Sequence, residues 1–176
     1  ICIQIPALIS QDHKAFKAGY KNIAQVSRER IRLSAKEYLP NLGFCSYRLI
    51  NSNYKPWKNY SGTSLSDLEN TLDLFNQSPL REGYTEDGLL TEIMLLEGFT
   101  LCSTIATMPE IQTNTLRKVT SEYCDHALLV CLDKEIAKAT VAGLQLGEND
   151  IFICLDSAIS TEDKLRLSDK GLIKTI

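Results

Sequence analysis

The sequence predicts an α/β fold, and three observations carry that expectation. A short β-branched run, Ile1-Cys2-Ile3-Gln4-Ile5, stops at Pro6 and has the character of a buried parallel strand. From Ala127 to Ile176, apolar runs alternate with helical segments in the order β-α-β-α-β, which favours a small parallel sheet with right-handed crossovers. A chain of 176 residues that is 44% hydrophobic can bury a core without disulfide staples.

Taken in order, the strand at residues 1–5 is followed by a short helix over Asp12–Ala18, stopped by Gly19. A longer helix is expected from Asn22, its cap, to Leu39, closed by Pro40. Along it Ala24, Ile31, Ala35 and Tyr38 share one face, while Arg28, Arg32 and Lys36 recur every four residues on another. Phe44–Leu49 reads as a strand leading into a polar, aromatic-bearing loop. Ser66 and Glu69 form a capping box ahead of a helix face made by Leu68, Leu72 and Phe75. A turn near Arg81–Gly83 precedes a helix capped by Thr85, with Leu89, Leu90, Ile93 and Leu96 as its core stripe and Gly98 as its stop.

Thr115–Val119 alternates as an edge strand or hairpin arm would. The β-α-β-α-β unit then comprises Ala127–Leu132, Lys134–Leu144, Ile151–Leu155, Thr161–Asp169 and Ile173–Ile176. The implied organisation is a strand and basic helix in residues 1–40, a linking strand and loop in 41–63, and an α/β domain in 64–176.

A formal charge of −3 argues against a surface that grips nucleic acid everywhere, so any such contact is local. The six cysteines show no C-x-x-C pair and no histidine at finger spacing, which points away from a metal site and towards buried thiols in a reducing cytoplasm. No apolar run is long enough to span a bilayer, so no membrane partner is expected and the localisation expected is cytoplasmic.

Catalytic signals are sparse. His13 and His126 are the two histidines, and neither lies in a recognisable nucleophile context. Asp133 and Asp156 each end an apolar run, where open α/β sheets place functional carboxylates, and Ser157 follows Asp156. Both aspartates are better explained as turn formers or helix caps, which leaves a small hydrolase as the weakest reading. No G-x-G-x-x-G, Walker loop or H-E-x-x-H occurs. No catalytic residue is therefore assigned.

Residues 13–36 are more informative, with Lys14, Lys17, Lys21, Arg28, Arg30, Arg32 and Lys36 against one acid, Glu29. Such a patch either follows a DNA phosphate backbone or is a solvated helix face whose Arg stems cover apolar neighbours. In the loop, Tyr54, Trp57 and Tyr60 mark a linker pinned to the core or a protein interface, in preference to base stacking.

Ile3-Gln4-Ile5-Pro6, then Ala15-Phe16-Lys17-Ala18-Gly19-Tyr20-Lys21-Asn22-Ile23, then Arg28-Glu29-Arg30-Ile31-Arg32 resemble the segment after the cofactor-binding glycine motif of type III restriction-modification methylases. Tyr54-Lys55-Pro56-Trp57, Glu86-Asp87-Gly88-Leu89-Leu90 and Cys154-Leu155-Asp156-Ser157-Ala158 follow in the family's order. The resemblance implies the C-terminal portion of a modification subunit, an adenine-specific DNA methyltransferase that uses S-adenosylmethionine. The family's D-P-P-Y and F-x-G-x-G motifs are absent from this chain, so no cofactor is expected on it alone.

The resemblance makes residues 1–40 the end of a Rossmann-like methyltransferase sheet, with Gln4 near the cofactor ribose. Ala7 stands where family members often carry an acid. Residues from about Phe44 onward would be an assembly module, with an upstream methylase half or second modification subunit, the restriction subunit and double-stranded DNA as partners. The alternative is a free-standing protein-interaction or nucleic-acid-binding module derived from such a methylase.

Overall fold

The structure, a computed structural model, describes residues 2–39, 41, 43–56, 64–65 and 78–176. The expected capping box at Ser66 and Glu69, the helix face of Leu68, Leu72 and Phe75, and the Pro40 stop lie outside the described residues, as do Trp57 and Tyr60. The chain forms two compact units, Ile1–Ile50 and Asn51–Ile176.

The first unit is built on two helices, α1 (Lys14–Lys17) and α2 (Ile23–Tyr38). His13 caps α1 by accepting from the Ala15 N–H, and Gly19, at φ 96°, takes the left-handed conformation that lets the chain leave it. The Asn22 side chain accepts from the Gln25 N–H, the cap expected for α2. A single antiparallel bridge, Leu8 to Asn22, ties the incoming segment to the helix start. The strands expected at residues 1–5 and 44–49 are not formed among the described residues, which have no ladder there. Ile3 is 93% exposed, so the β-branched run lacks the neighbours a parallel strand needs. Tyr38, expected on the apolar face of α2, is 72% exposed, and no described side chain of residues 2–50 is buried.

The second unit is an α/β layered domain. Its five-stranded sheet comprises β1 (Thr104–Thr107), β2 (Leu116–Thr120), β3 (Leu128–Cys131), β4 (Ile151–Cys154) and β5 (Leu172–Thr175), in spatial order 1-2-3-4-5. β1, β2 and β3 pair antiparallel, whereas β3, β4 and β5 pair parallel through α4 (Lys138–Gly143) and α5 (Thr161–Ser168). The predicted β-α-β-α-β unit is therefore present as a parallel layer. The arm predicted at residues 115–119 is β2, but it is interior, since β1 pairs along its outer side.

Alternation along the central strands builds two cores. Leu129, Cys131, Phe152 and Cys154 face Val141, Leu144 and Leu167 of the α4 and α5 layer. Leu128, Val130, Ile151 and Ile153 face Leu89, Leu90, Ile93 and Met94 of α3 (Glu86–Leu96). Both faces of β3 and β4 are buried, which is why those strands read as continuous apolar runs.

Thr85 caps α3 as expected. Its stripe differs by one residue: Leu96 is exposed and Met94 buried, and after Gly98, at φ 86°, Phe99 fills the core beyond the last turn. The helix expected from Lys134 begins only at Lys138, since the Ile136 N–H is given to the Ala158 carbonyl and the Ala137 N–H to Asn114 Oδ1. Ser160 and Asp163 cap α5 reciprocally: the hydroxyl accepts from the Asp163 N–H and donates to its carboxylate.

Candidate functional site

The basic candidates all lie in the first unit, and Lys14, Lys17, Lys21, Arg28, Arg30, Arg32 and Lys36 are all exposed. Helical geometry of about 100° per residue puts Arg28, Arg32 and Lys36 on one flank of α2 and Arg30 on the other. Arg30 opens instead on a groove of about 660 Å³ between residues 2–4 and α2, together with Gln4, Ser27, Ser34 and Tyr38. The Arg32 guanidinium grips Glu29 with two hydrogen bonds. That contact holds the Glu29 carboxyl below its ordinary range and raises the Arg32 value. Among the described residues, Arg32 is the one member of the seven in an ion pair. An exposed pair of this kind exchanges readily for a phosphate oxygen.

Gln4 offers a nucleoside cofactor little. It is exposed, and its side-chain amide donates to the adjacent Ile5 carbonyl. The Ala7 carbonyl accepts from the Ile23 N–H, and the position has no carboxylate to meet ribose hydroxyls. Between them Gln4 and Ala7 thus offer ribose hydroxyls one amide and no carboxylate.

In the second unit the strand-end carboxylates are committed to structure. Asp133 Oδ2 accepts from Asn114 Nδ2 and from the Thr115 N–H, joining the end of β3 to the start of β2. Asn114 also donates to the Glu135 carbonyl and accepts from the Ala137 N–H and the Thr140 hydroxyl. Asp133 therefore serves a turn rather than the cap of a helix. Asp156 takes the Lys164 ammonium and a Thr175 hydrogen bond, which hold its carboxyl below the usual range.

A Ser157–His126 pair is geometrically excluded. His126 precedes β3 and Ser157 follows β4, and these strands run parallel with Leu128 opposite Ile151, so they hold the two residues at opposite ends of the sheet, roughly 10 Å or more apart. A hydrogen bond needs about 3 Å. The His126 ring instead meets Phe99 edge-on, with Nδ1 beside Asp125 and Nε2 buried and unpartnered.

Cysteine placement departs from expectation, because Cys2, Cys45 and Cys102 are exposed while Cys131 and Cys154 are buried. Burial pushes those two thiols up to about 11 and about 12, where they are poor nucleophiles at neutral pH. No group of His, Cys, Asp or Glu among the described residues is placed to hold a metal ion.

Tyr54 is pinned. It forms a bridge with Leu80 and packs against the α3-side core, and burial, with Glu92 and Glu97, raises its hydroxyl value. Glu92 secures the segment by accepting from the Ser52 hydroxyl and from the Asn53 backbone and side chain. Asn114 and Glu92 are the organising polar residues that the sequence did not single out, and both act through partners distant in sequence. The described residues offer an exposed basic helix of the kind that suits anions, and the Ser52–Glu92 and Ser160–Asp163 hydroxyl–carboxylate bonds hold a segment and a helix start.

No helix among the described residues is long and apolar enough to cross a membrane. Comparison with protein-family models, curated proteins and solved structures gives no match.

Proposed function

We propose that this chain is the C-terminal part of a cytoplasmic, S-adenosylmethionine-dependent DNA adenine-N6 methyltransferase of a type III restriction-modification system. It contributes assembly surface and auxiliary DNA-backbone contact and is not catalytically competent alone. The observation that carries the reading is the first unit: seven exposed cations, six on two helices and Lys21 between them, with no described side chain buried. An amphipathic helix without a core of its own is expected where the rest of a sheet and a DNA backbone supply the missing surfaces. The ordered sequence resemblance supplies the reaction, and the structural commitment of Asp133 and Asp156 fits a chain whose chemistry resides elsewhere. The complete enzyme would bring the cofactor site, and its partners would be an upstream methylase half or second modification subunit, the restriction subunit and double-stranded DNA.

The second unit, with its own two-faced core, favours the alternative of a free-standing interaction module derived from such a methylase. One titration separates the readings. Labelled duplex and labelled S-adenosylmethionine are offered to the chain alone and then with the upstream methylase half added. Adenine methylation only in the mixture supports the split-enzyme reading, and DNA binding by the chain alone without association of the halves supports the free-standing module. Replacing Arg28, Arg30 and Arg32 with Gln should weaken DNA binding and flatten its salt dependence by about 0.9 log units per lost phosphate contact, with no fall in melting temperature. Unchanged affinity at low salt removes the basic-helix contribution.

A further inference from the structure

We infer that the outer edge of β1 is a self-association surface, on which a second copy of this chain pairs antiparallel to join two sheets into one. The inference deepens the assembly role proposed above by giving it a surface and an occupant. Its starting point is register. Thr104, Ile105, Ala106 and Thr107 lie opposite Thr120, Val119, Lys118 and Arg117. The Met108 N–H is given to the Leu116 carbonyl, which continues that register by one pair. In an antiparallel ladder the bonded pairs alternate, so Thr104, Ala106 and Met108 turn their backbone groups to β2. Ile105 and Thr107 turn theirs outward, where no described residue meets them.

The available edge has defined limits. At one end the Ser103 N–H is already given to the Thr100 carbonyl, and at the other Pro109 has no N–H. Two outward residues separated by one are self-complementary under a two-fold axis at Ala106. Ile105 then exchanges both bonds with Thr107 of the second copy, and Thr107 with its Ile105. The small Ala106 side chain occupies the close, non-bonded pair on the axis. Ile105, 46% exposed and directed to the α3 side like its partner Val119, gains cover.

Charge separates this edge from the other. β1 carries no charged side chain and is exposed throughout its length, whereas β5 carries Lys174, held by Glu97. A lysine on an edge strand opposes pairing with its own copy, and nothing on β1 does so. The nearest β1-side cations are on β2, where Arg117 is paired to Asp87 and Lys118 lies opposite Ala106. In the paired sheet two copies of Lys118 stand three strand spacings apart, roughly 14 Å, beyond the screening length of about 8 Å at physiological salt.

The test is sedimentation equilibrium of the full chain up to its solubility limit, with far-UV circular dichroism and melting as fold controls. A monomer–dimer equilibrium is expected. Ile105→Lys and Ile105→Glu, which place like charges about 7–8 Å apart across the diagonal, should each weaken it at least tenfold, and an equimolar mixture of the two should restore dimers. With Cys2, Cys45, Cys102 and Cys124 replaced by Ser, Ala106→Cys should oxidise to a covalent dimer. A chain that stays monomeric at every concentration overturns the inference, as does a dimer insensitive to both charges. If that monomer still restores methylation with the upstream half, the interface fails while the methylase reading stands; a charge-sensitive dimer with no methylation supports the interface and fails the methylase reading.

Discussion

α2 and α3 make the instructive contrast. Both are amphipathic and both have the side-chain cap expected of them, yet the 16-residue α2 buries no side chain while the 11-residue α3 buries four. The difference lies in what is opposite: α3 lies over β3 and β4, whose Leu128, Val130, Ile151 and Ile153 meet it, whereas the described residues of the unit that holds α2 have no ladder beyond one bridge. A periodic apolar face specifies where a partner surface would go and says nothing about whether the same unit provides it.

Four substitutions sharpen that contrast, read by urea unfolding of the full chain. Phe152 is fully buried in the central parallel strand, and Phe152→Ala should cost about 3–5 kcal/mol through lost transfer energy and the cavity left behind. Asn114→Ala removes a side chain that makes four hydrogen bonds binding β2, β3 and α4, and should cost about 2–3 kcal/mol. A loss under about 1 kcal/mol would show the network to be replaceable by water.

Asp150→Asn should cost about 1–2 kcal/mol at neutral pH, because one oxygen that accepts from the Ala127 or Gly147 N–H becomes a donor. Burial raises the Asp150 value, but those two hydrogen bonds, with Lys118 and His126 nearby, outweigh it and hold the carboxyl below its ordinary range. Its stabilisation is therefore complete above the unfolded value of about 3.9 and disappears as pH falls through the folded one. The gap between wild type and variant should narrow below about pH 4, and a gap constant down to pH 2 would contradict this account. The smallest effect is expected at Ile31→Ala on α2, within about 0.5 kcal/mol, and a loss near that of Phe152→Ala would mean that the helix is covered in solution.

Legibility in the sequence follows the same division. The parallel β3, β4 and β5 were readable because both of their crossover connections are short and local in sequence and the two inner strands are apolar throughout. The caps at Asn22 and Thr85 were readable because each acts within three residues of itself. β1 was not, since Thr-Ile-Ala-Thr has no alternation and becomes a strand only by pairing with β2. The segment at residues 2–5 shows the converse: strong β propensity with no ladder to express it. For the candidate site, the basic residues and the Arg28, Arg32 and Lys36 flank were visible as composition and period, but the groove beside Arg30 required the placing of residues 2–4, and the Asn114 hub required contacts across some twenty residues.

The opposed cysteines of β3 and β4 give this chain a built-in clock. Cys131 and Cys154 are register partners inside the core, and their thiols hold their protons at neutral pH. An alkylating reagent consumes Cys2, Cys45 and Cys102 at once, takes the half-buried Cys124 next, and then waits for the sheet to part. The slowest phase of labelling therefore reports the rate at which the central strands open, with no probe added to the sequence.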